Sequence, residues 1–251
     1  MLRIYLTGEV QVERGERLLR ESQLGGPQVR LVLAYLVSER KRAVTQSELA
    51  EALWPESLPA SWTLALSAIV SRLRARLASL GLVRSRIIPN AFGCYQFSPP
   101  SDTWVDVEAA LHGVDVAEGA ISAGNPQGAY GGSLLATTIL RRPFLPGDDG
   151  PWAESRRTAL AGVLIRAIDC RVEALAANGE LKLALTHAQE AVRLEPYRES
   201  GYRRLMRLHA QNGDRAEAIR VYLECKRLLE SELGVAPSAE TEAAYRDIGL
   251  T

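Results

Sequence analysis

Two stretches in the second half of the chain, residues 178–196 (NGELKLALTHAQEAVRLEP) and 212–230 (NGDRAEAIRVYLECKRLLE), overlay with a constant offset of 34 residues. Gly179 and Gly213, Ala184 and Ala218, Leu185 and Ile219, and Ala191 and Cys225 fall at matching positions. Each copy starts at an Asn-Gly pair, a match that chance similarity of Ala- and Leu-rich helices would not supply. A unit this short cannot bury its apolar face alone, so copies must stack, and small residues at matched positions let paired helices approach closely. A third copy opens at Ala123-Gly124-Asn125 and runs through Ala129, out of register with the other two by 21 residues. The loop RRPFLPGDDGPW over 141–152 is long enough to absorb that offset. The second half is expected to be an all-α array of helical hairpins with the tetratricopeptide period.

The first hundred residues follow other periods. Leu2, Ile4, Leu6 and then Val10, Val12 alternate with polar residues and are broken by Gly8 and Gly15, which predicts short strands with turns. Residues 17–20 supply a further strand before Gly25-Gly26-Pro27. From Gln28 the period changes, and Val29, Val32, Leu33, Leu36 and Val37 form one helical stripe. Thr45 opens a second helix, with Glu48 three residues on in capping-box spacing and Leu49, Ala52 and Leu53 as its buried face. Pro55 and Pro59 bound a loop, since each disfavours helix in the residue before it. A third helix is expected from about Ala60 to Leu80, stopped by Gly81. Its stripe of Leu66, Ile69, Leu73, Leu77 and Leu80 must face a core, leaving Thr63, Ser67, Ser71 and Arg74 opposite, flanked by Arg72 and Arg76. Residues 86–89 and 94–97 then read as two strands joined across Asn90-Ala91-Phe92-Gly93, a wing. Pro99-Pro100 closes the unit, giving expected domains 1–100 and 101–251.

That order outlines a winged helix-turn-helix whose long helix lies in a DNA groove. Net charge is zero, yet residues 1–100 hold 13 Lys/Arg against 8 Asp/Glu and the remainder 17 against 22, a basic module followed by an acidic one. The expected DNA contacts are Thr63, Ser67, Ser71, Arg72, Arg74 and Arg76 on the helix and Arg86 and Asn90 on the wing. The arginines suit phosphates, and Arg74 is best placed to present its fork to a guanine edge. Each residue has a plainer reading as polar surface, and Trp62 reads better as packing against the Pro55–Pro59 loop than as a DNA contact.

Catalysis finds no footing. The chain has no G-x-x-x-x-G-K-[ST] loop, G-x-S-x-G elbow, H-E-x-x-H pair or dinucleotide glycine run. Cys94, Cys170 and Cys225 are far apart, and His112, His187 and His209 lack partners at metal-ligand spacing. No catalytic residue, cofactor or metal is expected. No apolar run is long enough to span a bilayer, and the charged, alternating N-terminus is no signal segment, so a cytoplasmic protein is expected.

Several segments resemble one family, the SARP-type (AfsR-like) bacterial regulators, which join an OmpR-type winged helix to a bacterial transcriptional activator domain. The segments are Gly25-Gly26-Pro27-Gln28, Ser47 through Pro55 (SELAEALWP), Val70-Ser71-Arg72-Leu73-Arg74 with Leu77, and Gly93-Cys94-Tyr95. In the second half they are Glu195-Pro196-Tyr197-Arg198-Glu199 and residues 228–238 (LLESELGVAPS). The resemblance covers nearly the whole chain. It implies a mainly α protein, a winged helix of small sheets and helices followed by tetratricopeptide-like repeats. It further implies an activator that binds promoter DNA, as side-by-side protomers on direct repeats, and recruits RNA polymerase. Where many members carry a polar or basic pair early in the recognition helix, this chain has Trp62-Thr63-Leu64. The ATPase module of longer relatives and a receiver domain ahead of the winged helix are not expected. The alternative is a protein-interaction adaptor whose winged helix no longer binds DNA specifically.

Overall fold

The structure, a computed structural model, describes residues 1–250 and comprises two compact units. Met1–Ala110 and Ile139–Ala161 form the first; Leu111–Thr138 and the chain from Gly162 onward form the second.

The first unit opens with the expected meander. β1 (Leu2–Tyr5), β2 (Gln11–Arg14) and β3 (Arg17–Leu19) pair antiparallel, with Ile4 opposite Val12 on the buried face and Arg3 opposite Glu13 on the other. A short helix the pattern did not foretell, α1 (Glu21–Leu24), buries Leu24. α2 (Pro27–Ser38) starts on a proline, whose fixed φ suits a first helical turn, and buries every residue from Val29 to Val37. It is therefore a central helix, buried beyond the single stripe expected of it. β4 (Val44–Thr45) leads into α3 (Gln46–Leu53), where the capping box forms: Glu48 N–H donates to Thr45 Oγ1 at 3.2 Å and Thr45 N–H to Glu48 Oε2 at 2.8 Å. α4 (Trp62–Ser79) buries Leu66, Ile69, Val70, Leu73 and Leu77, each burial stabilising by roughly 1.5–3 kcal/mol.

The wing departs from expectation. Residues 84–87 form a helical turn, α5 (Arg84–Ile87), and the first wing strand is β5 (Asn90–Ala91), paired with β6 (Cys94–Tyr95). Ile87 and Ile88 are both buried. Ile87 ends the helical turn and Ile88 follows it with extended backbone, φ −137° and ψ 76°, both side chains reaching the same core. β6 also pairs with β4, giving a sheet of order β4-β6-β5.

The first unit continues past Pro99-Pro100. β7 (Trp104–Val105) pairs parallel with β1, completing a sheet of order β3-β2-β1-β7. Next comes α6 (Asp106–Ser122), whose first carboxylate is fully buried. Asp106 accepts hydrogen bonds from Leu6 N–H and Thr7 N–H at 2.9 Å, and from Thr7 Oγ1 and Val107 N–H at 2.8 Å. Four donors offset the desolvation that an isolated buried carboxylate would suffer. The 141–152 loop is more than a spacer: it packs into the first unit. Leu145 N–H donates to Leu6 O, Phe144 and Leu145 are buried, and Trp152 stacks on Tyr35 at 4.7 Å.

The second unit contains the expected hairpins, built by α6 from Leu111, α7 (Tyr130–Leu140) to Thr138, α8 (Pro151–Ala177) from Gly162, α9 (Leu181–Leu194), α10 (Glu199–Gln211), α11 (Arg215–Leu228) and α12 (Ala239–Leu250). Three of its turns share one motif. Gly124, Gly179 and Gly213 have φ of 73°, 78° and 82°. In each turn the glycine N–H donates three residues back and the next N–H five back: Asn125 to Ala120 O, Glu180 to Leu175 O, Asp214 to His209 O. These are glycine-terminated helix ends of one geometry, and the chain at Gly124 closes its helix as it does at Gly179 and Gly213. α6 and α7 cross at Gly113 and Gly132, where a Cβ built on Gly132 would lie 2.3 Å from Gly113 O.

Candidate nucleic-acid interface

α4 presents a face of short side chains. Thr63, Ser67, Ala68, Ser71, Arg72, Ala75 and Arg76 are exposed, while the leucine stripe behind them is held in the core. Serine and alanine along one face let a helix backbone come close to a groove floor, and hydroxyls there can donate to or accept from base edges. Leu64, 74% exposed, adds an apolar group at the start of that face. Trp62 is half-buried against the core.

The sequence contains a signal that periodicity does not reveal. Between Glu56 and Asp102 there are five arginines and no Asp or Glu. Four of them, Arg72, Arg76, Arg84 and Arg86, are exposed and form no ion pair among the described residues. Among the described residues about half of the arginines elsewhere are ion-paired, such as Arg166 with Glu118, Arg198 and Arg204 with Asp169, and Arg220 with Glu217. A solvated helix face ordinarily carries intrahelical partners, so a segment stripped of carboxylates is suited to a polyanion.

Arg74 is placed differently. Its Nε and Nη2 both donate to Ile88 O, at 2.9 and 2.5 Å, and its guanidinium lies 5.7 Å from the Tyr95 ring centroid. The fork expected to read guanine is taken up in tying α4 to the base of the wing. The far end of α4 is held too, by arginines that sequence reasoning passed over. Arg14 Nη1 donates to Gly81 O at 2.6 Å and Arg17 Nη1 to Ser79 O at 3.3 Å, placing cations at the negative helix end.

Arg86 and Asn90 are exposed at the wing, on α5 and β5. The hairpin turns through Phe92 and Gly93, whose φ values are 52° and 72°. A two-residue turn with both φ positive matches the right-handed twist of paired strands. Phenylalanine in that conformation is an outlier, since bulky residues rarely adopt positive φ.

Among the described residues no three His, Cys, Asp or Glu side chains converge as a metal site, and no helix is long and apolar enough to cross a membrane. Cys170 and Cys225 are buried, which raises both thiols to about 11.

Residues 105–249 match the family described as bacterial transcriptional activator domain. The regulatory protein AfsR of Streptomyces coelicolor is 30% identical over 237 residues, covering 94% of this chain and 23% of AfsR. The transcriptional regulatory protein MoaR1 of Mycobacterium bovis is 27% identical over 90% of this chain and 73% of its own length. The chain thus spans about a quarter of the AfsR proteins it matches. A solved structure of Mycobacterium tuberculosis EmbR, in complex with a low-affinity phosphopeptide, aligns over 99% of this chain and 65% of that one, with a TM-score of 0.88 and 26% identity.

Proposed function

The chain belongs to the bacterial transcriptional activator domain family, and on that premise we propose that it is a transcriptional activator that binds promoter DNA through its winged helix. The winged helix within residues 1–100 carries DNA binding, and the helical repeats within residues 101–251 carry partner binding. α4 enters the major groove, with Ser67 and Ser71, and Thr63 at the helix start, at base edges, while Arg72 and Arg76 meet phosphates. Arg86 and Asn90 contact the backbone or the adjacent minor groove. Arg74 is a positioning residue that sets the wing relative to the helix. The family resemblance supplies RNA polymerase as the partner and side-by-side protomers on direct repeats as the bound form.

One observation supports the reading above the rest: four exposed arginines without carboxylate partners among the described residues, on one segment that holds both helix and wing. If each of Arg72, Arg76, Arg84 and Arg86 neutralises one phosphate, the slope of log K against log salt is roughly −3.6 per protomer. The test is a mobility-shift salt series on duplexes that the full chain selects from a random pool. A reproducible selected sequence with a slope near that value upholds the proposal. No enrichment, or retention indifferent to sequence, defeats it.

The exposed Leu64 at the start of the recognition face favours a second reading, an adaptor whose winged helix meets protein. It predicts failure of the selection together with a stable complex through that face.

A further inference from the structure

We propose that Phe92 is an apolar wedge that enters a base step of the minor groove beside the α4 site; the proposal rests on the DNA-binding reading above.

Three features of the wing tip lead there. The first is exposure: the Phe92 side chain is 104% exposed, so it contributes nothing to a core. The second is backbone strain. Phe92 adopts φ of 52° at a turn position that asparagine or glycine fills without penalty, so turn chemistry does not account for an aromatic. Strain of this kind persists where the surroundings over-determine the backbone, and it concentrates at binding sites.

The third feature is rigidity. Ala91 pairs with Cys94, Thr45 pairs with Cys94 from the other side, and Gln46 N–H donates to Gly93 O at 3.1 Å. At the base of the hairpin, Arg74 holds Ile88 O. The ring is therefore offered on a fixed support, with little conformational entropy to lose on insertion.

The surroundings identify the occupant. Arg84 and Arg86 on α5 and Asn90 on β5 are exposed, and no carboxylate lies between Glu56 and Asp102. Exposed cationic and amide groups on the elements that lead into a rigid apolar tip fit the narrow, negative minor groove. There a phenylalanine can part a base step and kink the duplex towards the major groove.

Phe92→Asn is the informative substitution, because Asn-Gly is the preferred pair for this turn and removes the ring without disturbing the hairpin. The probe is a duplex selected by the full chain, with 2-aminopurine placed at successive steps flanking the selected sequence. Wild type is expected to brighten 2-aminopurine at one flanking step per protomer. F92N is expected to bind about 10-fold more weakly, to leave that step dark, and to keep a thermal midpoint no lower than wild type. Phe92→Leu, still apolar, should retain most of the affinity. Equal affinity of F92N and wild type, or weaker binding by F92N with no step brightened by wild type, overturns the wedge while leaving DNA binding intact. Failure of wild type to bind any selected duplex overturns both.

Discussion

Arg72 and Arg74 stand two residues apart on the same helix, and replacing each with alanine should separate a DNA contact from a structural tie. Arg74→Ala removes two hydrogen bonds from a charged donor to one buried carbonyl, that of Ile88. Hydrogen bonds to charged groups contribute about 1.5–3 kcal/mol. Because the two share one acceptor and Arg74 is half-buried, the lower end applies, about 1.5–2 kcal/mol. For a unit of this size that is a fall of roughly 4–8 °C in Tm. The measurement is clean, because all four tryptophans, Trp54, Trp62, Trp104 and Trp152, lie in the first unit, and their fluorescence follows its unfolding alone. Arg74→Lys keeps the charge but loses the fork, and should recover only part of the loss. Arg72→Ala, exposed and without a partner, should change stability by less than about 0.5 kcal/mol. It should instead weaken DNA binding and reduce the salt slope by about 1. Equal melting of the two alanine variants, or unaltered amide exchange across the wing in Arg74→Ala, would refute the assignment of Arg74 as a tie.

Other substitutions probe the rest of the molecule. Gly132→Ala drives a methyl into the Gly113 carbonyl across the α6–α7 crossing and should destabilise the second unit by roughly 1–3 kcal/mol in a far-ultraviolet melt. Gly131→Ala, with open space at its Cβ, should stabilise by about 0.5–1 kcal/mol, so equal effects at both positions would contradict the close approach. The Glu48 carboxyl lies below its usual 4.5 because Thr45 N–H donates to it, with the Thr45 hydroxyl and Arg42 adding to the effect. A depressed carboxylate contributes stability fully present above the ordinary value and lost as pH falls through the lowered one. Glu48→Gln should therefore cost roughly 0.5–1 kcal/mol at neutral pH and nothing in acid, read from melts across a pH series. Thiol titration of the native protein should modify Cys94 alone, Cys170 and Cys225 being buried and held protonated; fast reaction of all three would contradict that burial.

Local chemistry was legible in the sequence wherever it depends on near neighbours. The capping box at Thr45 and Glu48, the leucine stripe of α4, the meander at the N-terminus and the three glycine turns all follow from residues within a few positions of each other. Family membership was equally legible, since it rests on motifs and their order. Charge depletion between Glu56 and Asp102 was also there to be read, though it becomes informative only once Arg72, Arg76, Arg84 and Arg86 prove unpaired.

Tertiary structure decided what depends on distant partners. Arg74 looked like a base reader because it shares a helical face with Ser67 and Ser71; only the folded wing brings the Ile88 carbonyl within its reach. Arg14 and Arg17 gain their role from carbonyls more than sixty residues away. The 141–152 loop looked like a spacer between repeats because its burial depends on Leu6 and Tyr35, which no local pattern links to it. Residues 86–89 read as strand by composition, yet the chain forms a helical turn to Ile87 and extends only from Ile88, with both isoleucines in one core. Sequence fixes the backbone preferences and the stripes; which polar group each arginine finds, and which surface each loop covers, is settled by long-range packing.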